Sequence, residues 1–116
     1  MVPYLNSLFA NCTKLIAVSN DLLPATTIGY ECYRDIFYGC TSLTSIPSGF
    51  LPATTIGYEC YGSMFYGCTG LTSVPRDLLP ATTLQDRCYI SMFTQCNNLA
   101  TAPDLPAEVL QSQCYY

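Results

Sequence analysis

Cysteine is the residue of this chain with the widest chemistry, since a thiol can form a disulfide, bind a metal ion or act as a nucleophile. The 116 residues include eight cysteines. Two series recur at one constant interval and an eighth cysteine follows them: Cys12, Cys40, Cys68 and Cys96; Cys32, Cys60 and Cys88; and Cys114. We call the interval from Cys12 to Cys40 the repeat interval. Its regularity predicts one repeated structural role rather than a single reactive centre.

Catalytic and metal-binding roles find little support in the other residues. The chain has no histidine, so it offers neither a Ser–His nor a Cys–His pair for nucleophilic catalysis. The spacing between Cys32 and Cys40 does not match the ligand spacing of zinc knuckles. The carboxylates show no convergent pairing, and there is no glycine-rich phosphate loop. We expect a non-enzyme without catalytic, cofactor-binding or metal-binding residues.

Two structural roles for the cysteines stay open. Disulfides within a unit, such as Cys32–Cys40, leave Cys12 and Cys114 without partners, whereas pairing across units, such as Cys12–Cys32 and Cys96–Cys114, uses all eight. Eight helical residues span about 12 Å, whereas a disulfide needs Cα atoms within about 7 Å. Either pairing scheme would therefore require the helix to be bent, broken or strongly offset between units. The other role is a ladder of buried thiols stacked from unit to unit, because free cysteine is among the most buried residue types.

The spacing of the cysteines belongs to a repeat of the whole sequence. The string LPATTIGYECY at residues 23–33 recurs unchanged at residues 51–61. Such repetition is typical of stacked units that bury their apolar faces on one another. We expect one domain over residues 1–116, cut from a longer protein. Its units are approximately 1–28, 29–56, 57–84 and 85–116.

Each unit is expected to contain a short helix and short parallel strands. In residues 30–38 the i, i+4 spacing of Cys32, Ile36 and Cys40 favours a helix, and Gly39 is expected to cap its end, as is Gly67 one unit later. Strands are predicted after each later cysteine and in the Ala-Thr-Thr segments. The main strands are 15–18, 43–46, 71–74 and 99–102, and the second set is 25–28, 53–56 and 81–84. The predicted fold class is an α/β repeat solenoid of about four coils.

The pattern Phe-x-x-Cys-x-x-Leu-x-x-Ile at residues 37–46, together with LPATTI and FYGCTSLT, resembles the BspA-like leucine-rich repeats. The phrasing is similar to the variant that is abundant in surface proteins of gut Bacteroidetes, which makes a bacterial source the expectation. The resemblance covers essentially the whole chain. It implies a leucine-rich-repeat-like solenoid, an extracellular or cell-surface location although no export signal is visible, and adhesion rather than catalysis.

Tyrosine and threonine columns are the candidate interaction surface. The proposed surface residues are Tyr30, Tyr38, Tyr58, Tyr66, Thr44 and Thr72. Tyrosine is enriched at protein interfaces, and the expected partner is a protein or glycan on a host or neighbouring cell. A further column (Tyr33, Tyr61 and Tyr89) is expected to pack between units with its hydroxyls at the surface.

Composition excludes two partner classes. The net charge is −4 and the four basic residues are scattered in the sequence, which argues against nucleic acid. No apolar run approaches the roughly 18 residues of a membrane span. An alternative function is structural: the chain would associate head to tail as a filament or spacer, since the ends of a stack without polar caps expose apolar surface.

Overall fold

The computed structural model describes residues 7–23, 33–82, 84–101 and 103–105. Within these ranges the backbone forms turns, with no helix and no extended strand, and the only bridge residue is Thr55. The Cα radius of gyration is 12.7 Å, close to the roughly 13 Å of a compact domain of this length. The predicted α/β repeat solenoid, with a leucine-rich-repeat pattern of helices and parallel strands, is therefore wrong.

Four stretches of consecutive turns replace the predicted helices, at residues 7–11, 33–39, 58–67 and 86–95. Positive φ recurs along them, as at Tyr61 (63°), Ser63 (50°) and Gly67 (72°). Between these residues the backbone N–H donates to the carbonyl of the third residue before it, as from Met64 to Tyr61 (3.3 Å) and from Tyr66 to Ser63 (3.2 Å). Positive φ at such short intervals cannot continue an α-helix, whose residues all have negative φ.

Other N–H groups of these stretches cross to a neighbouring unit, in most cases the next one. The N–H of Phe9 donates to the carbonyl of Ile36, that of Phe37 to Met64 and that of Phe65 to Met92, each at 3.0 Å. We call the four turn stretches and these crossing bonds the turn ladder. Buried backbone N–H and C=O groups need hydrogen-bond partners. The ladder supplies such partners without a helix or a sheet.

Two aromatic stacks fill the core beside the ladder. Phe37, Phe65 and Phe93 stack with centroid separations of 5.7 and 5.8 Å, and Phe65 is fully buried. The second stack is Tyr33, Tyr61 and Tyr89, with separations of 5.9 and 6.0 Å. The hydroxyl oxygens of Tyr61 and Tyr89 are buried, so the expectation that this column places its hydroxyls at the surface is wrong.

The segments predicted as main strands form no strand within the described residues. The N–H of Thr44 donates to the carbonyl of Ile16 (3.3 Å), and that of Ala100 donates to Thr72 (3.0 Å). One such bond at a boundary between units is too few for a ladder of parallel strands, whose bonds are evenly spaced along the segment. Residues 25–28 of the second predicted set lie outside the described residues, as do residue 83 of segment 81–84 and residue 102 of segment 99–102.

Two glycines have the backbone that the sequence indicates, for a different reason. Gly39 and Gly67 have φ of 71° and 72°, the left-handed region that glycine enters at little cost. They follow stretches of turns, so there is no helix for them to cap. The N–H of Gly39 donates to the carbonyl of Tyr66 (2.7 Å), and the left-handed residue therefore belongs to the turn ladder.

Candidate interaction surface

Tyr38 and Tyr66 form the clearest candidate surface. Their rings stack with centroids 4.7 Å apart and planes 2° from parallel. Tyr38 is exposed over 37 % of its surface, while Tyr66 is half-buried. Their backbones are held by the turn ladder, because the carbonyl of Tyr66 accepts from Gly39 and that of Tyr38 accepts from Asn11 (2.6 Å). The structure thus brings together two predicted residues from neighbouring units.

The other predicted surface residues are placed separately. Thr44 and Thr72 are exposed, each in the segment after a buried cysteine. Tyr58 is half-buried and engaged within the chain, with the guanidinium carbon of Arg87 6.0 Å from its ring centroid. Tyr30 lies outside the described residues. The structure therefore supports one compact pair of tyrosines rather than a single stripe of all the predicted residues.

Thiols line the interior behind this surface. Cys40, Cys68 and Cys96 are buried and have free thiols, whereas Cys12 is exposed with a free thiol. The Sγ atoms of the three buried residues donate to the carbonyls of Phe9 (3.1 Å), Phe37 (3.1 Å) and Phe65 (2.9 Å), in that order. Cys60 and Cys88 are buried as well, while Cys32 and Cys114 lie outside the described residues. Each of the three buried thiols thus joins one unit to the unit before it.

Burial also sets the reactivity of these thiols. Desolvation raises the pKa of Cys68 to about 12, and neighbouring Cys96 and Cys40 contribute in the same direction. Burial likewise raises the pKa of Cys40 and of Cys96. A thiol is nucleophilic as its thiolate, so burial disfavours the nucleophilic form of these three groups and favours a role in packing.

An ion cluster joins three turn stretches and was missed in the sequence. Glu59, only 9 % exposed, lies 3.2 Å from Arg34 and 3.2 Å from Arg87. The two guanidiniums approach one carboxylate, so two basic residues that are far apart in the sequence meet at one site. A signal was present: Glu59 and Arg87 have opposite charges one repeat interval apart, as have Arg76 and Asp104, which also pair (3.3 Å).

Asp35 borders this cluster without the same compensation. Its pKa is raised chiefly by burial; Arg34 opposes the rise, and the negative charge of Glu59 adds to it. The carboxyl group also sits on a residue with φ of 55°, a region that L-residues other than Asn and Asp rarely enter. Asp is one of the residue types that tolerate this backbone, so the distinguishing feature of Asp35 is a partly buried carboxyl group beside the cluster of Glu59.

The described ranges contain neither a candidate metal site nor a candidate membrane-spanning helix. Among those residues there is no group of three or more acidic, cysteine or histidine side chains that could hold a metal ion. The same residues contain no helix long and apolar enough to cross a membrane.

Comparisons with protein-family models, with curated proteins and with solved structures find no match. The resemblance to BspA-like repeats accordingly stays a prediction.

Proposed function

We propose that this chain is a non-catalytic recognition module that binds a partner protein outside the cell through Tyr38 and Tyr66. The observation that carries the proposal is the stacking of the two rings, parallel within 2° at the surface of the molecule. Stacking and backbone hydrogen bonds fix both side chains before a partner arrives. A fixed side chain loses little conformational entropy on binding, which favours affinity.

The geometry of the pair favours a protein over a glycan. Each ring covers one face of the other, so stacking reduces the open aromatic face of the pair. A sugar ring stacks on an open aromatic face, whereas ring edges and phenolic hydroxyls suit the mixed apolar and polar surface of a protein. Exposed Thr44 and Thr72 would add hydrogen-bonding groups on a wider contact.

The properties of the thiols support a role without catalysis. Nucleophilic cysteines have a lowered pKa and partial exposure, while burial raises the pKa of Cys40, Cys68 and Cys96. The chain also has no histidine to act as a general base. The resemblance to BspA-like repeats supports an extracellular or cell-surface location for this module.

Binding to a panel of purified matrix glycoproteins tests the proposal, using each protein in its native and its deglycosylated form. We expect saturable binding in surface plasmon resonance that survives deglycosylation. The double variant Tyr38→Ala/Tyr66→Ala should weaken binding at least about tenfold, as truncation of interface tyrosines does. Leu105→Ala, which truncates another exposed apolar residue, is the matched control.

Three results would count against this function. Loss of binding on deglycosylation would make the partner a glycan. Equal binding by the double tyrosine variant would remove the surface from consideration. Failure to bind any protein of the panel, by a chain whose circular dichroism shows it folded, would argue against adhesion to matrix.

A further inference from the structure

Two rows of hydrogen bonds in the turn ladder run in one direction. At three successive boundaries the residues at one equivalent position donate a backbone N–H to a carbonyl of the following unit. These bonds run from Phe9 to Ile36, from Phe37 to Met64 and from Phe65 to Met92. A second row runs the same way, from Asn11 to Tyr38 (2.6 Å), from Gly39 to Tyr66 (2.7 Å) and from Gly67 to Thr94 (2.8 Å). In these two rows each unit therefore presents donors toward the following unit and acceptors toward the preceding one, although the N–H of Tyr89 donates back to the carbonyl of Cys60 (3.2 Å).

The two outermost turn stretches leave complementary rows open. Among the described residues, no acceptor pairs with the N–H of Phe93 or Gln95, which occupy the donor positions of the last stretch. Within the same ranges, no donor pairs with the carbonyl of Leu8 or Ala10, the acceptor positions of the first stretch. Open rows of backbone groups are templates for another chain.

Exposure marks the same two faces. Leu8 is 52 % exposed, whereas Ile36 and Met64, at the equivalent position of the next two units, are fully buried. At the other end Phe93 is partly exposed, whereas Phe37 and Phe65 at its equivalent position are fully buried. Apolar side chains that are covered at every internal boundary are thus uncovered at the two ends.

We infer that a second copy of this chain docks head to tail, its first turn stretch on the last turn stretch of the copy before it. The register follows from equivalent positions. Phe93 is the next donor after Phe65, and the acceptor equivalent to Ile36 in the docked copy is Leu8. By the same rule the N–H of Gln95 meets the carbonyl of Ala10.

Side chains extend the same register. The internal boundaries place phenylalanine on phenylalanine, as Phe9 on Phe37 with centroids 5.8 Å apart. The docked copy therefore sets its Phe9 on Phe93. Its Cys12 thiol reaches the carbonyl of Phe93, as the thiol of Cys40 reaches that of Phe9. Every contact at the new boundary repeats one that already exists inside the chain.

Two different faces meet in this contact, so both stay available on a growing assembly. Such a heterologous contact continues as a fibre or closes as a ring, and it does not stop at two copies. Sedimentation equilibrium of the full chain, up to about 1 mM, where contacts of about 4 kcal/mol become visible, tests this. We expect the average mass to rise with concentration beyond that of a dimer. A strict monomer, or a dimer that grows no further, would overturn the inference.

A pair of charge substitutions tests the register. Leu8→Arg places a cation on the open acceptor face. Ile16→Arg is the matched control, because Ile16 is 64 % exposed and its equivalents Thr44 and Thr72 are also exposed at internal boundaries. We expect Leu8→Arg to weaken association at least tenfold. When the variant is mixed with the wild-type chain, it should terminate growing assemblies and so lower their average mass. Equal effects of the two variants would contradict the faces assigned to the contact. The sedimentation measurement on the wild-type chain tests the inference even if a variant fails to fold.

Discussion

The turn ladder and the segments that follow the later cysteines share one repeat interval but meet their neighbours differently. In residues 58–67, four N–H groups (Glu59, Ser63, Phe65 and Gly67) donate across to the next unit. In residues 71–74 one N–H group crosses among the described residues, from Val74 to Oγ1 of Thr101 (3.3 Å), and the carbonyl of Thr72 accepts from Ala100. We call the segments 15–18, 43–46, 71–74 and 99–101 the outer segments.

Exposure separates the two regions in the same way. Met64 and Phe65 of the ladder are fully buried, whereas Thr72 and Ser73 of the outer segment are exposed. Water can satisfy the backbone of an exposed segment, while a buried one must find partners in the protein. The ladder therefore carries the order of the molecule, and the outer segments need only keep Leu71 and Val74 in the core.

Removing a ring from the middle of the ladder should have the largest effect. Phe65 is fully buried between Phe37 and Phe93, so Phe65→Ala leaves a cavity in the stack. We expect a loss of about 3–5 kcal/mol in the free energy of unfolding, the range for buried Phe to Ala. Urea denaturation followed by circular dichroism measures it.

The matched change in the outer segment is Thr72→Ala. Because Thr72 is exposed, this substitution should alter stability by less than about 0.5 kcal/mol. Similar losses for the two variants would mean that the outer segments contribute as much order as the ladder.

The same substitution should have opposite signs in the two regions. Ser63 has φ of 50°, which costs an L-residue about 1–2 kcal/mol and glycine almost nothing. Ser63→Gly should therefore raise the free energy of unfolding by about 0.5–1 kcal/mol, after the entropy that glycine loses on folding is subtracted. Ser73, in the outer segment, is not among the residues with positive φ, so Ser73→Gly should lower stability by about 0.5–1 kcal/mol. A loss in both variants would show that the left-handed backbone at Ser63 carries no strain.

Part of this arrangement can be read from the sequence. The interval between equivalent cysteines is also the interval between the phenylalanine rings that stack, as from Phe37 to Phe65. Phe37, Cys40 and Leu43 are evenly spaced in the sequence. In the structure the N–H of Cys40 donates to the carbonyl of Phe37, and the N–H of Leu43 donates to the carbonyl of Cys40. The tyrosine pair Tyr38 and Tyr66 was predicted as a surface by the same repeat.

The backbone that makes those contacts could not be predicted. Ile36 and Cys40 are separated by one helical turn in the sequence, which fits a helix as well as a run of turns. Left-handed φ at Tyr61 and Ser63 opposes the local preference of both residues, and at Ser63 a hydrogen bond to the carbonyl of Ile90 in the next unit (2.8 Å) holds it in place. Such bonds join residues of different units, so no local pattern reports them. The pairing of Glu59 with Arg87 could have been inferred, because it needs only the repeat interval and the opposite charges.

The smallest expected effect concerns Asp35, a ladder residue whose pKa is raised mainly by burial. A raised pKa in the folded state means that the stability linked to this group is fully present below the unfolded value, about 3.9, and is lost as pH rises through the folded value. Asp35→Asn removes the charge and keeps a residue type that tolerates φ of 55°. The variant should be more stable than the wild-type chain at pH 7, by less than about 1 kcal/mol because solvent screens a partly exposed carboxylate.

Thermal unfolding between about pH 3 and pH 7 checks both the sign and the pH range of this effect. The advantage of Asp35→Asn should shrink as pH falls toward 3, where the wild-type carboxyl is protonated as well. Asp77→Asn is the control from an exposed bend, where the carboxylate accepts a hydrogen bond from Ser48 (2.7 Å), and it should bring no gain at pH 7. A wild-type chain more stable than Asp35→Asn at pH 7 would mean that attraction to Arg34 outweighs burial. The ladder would then compensate its charges as fully at Asp35 as it does at Glu59.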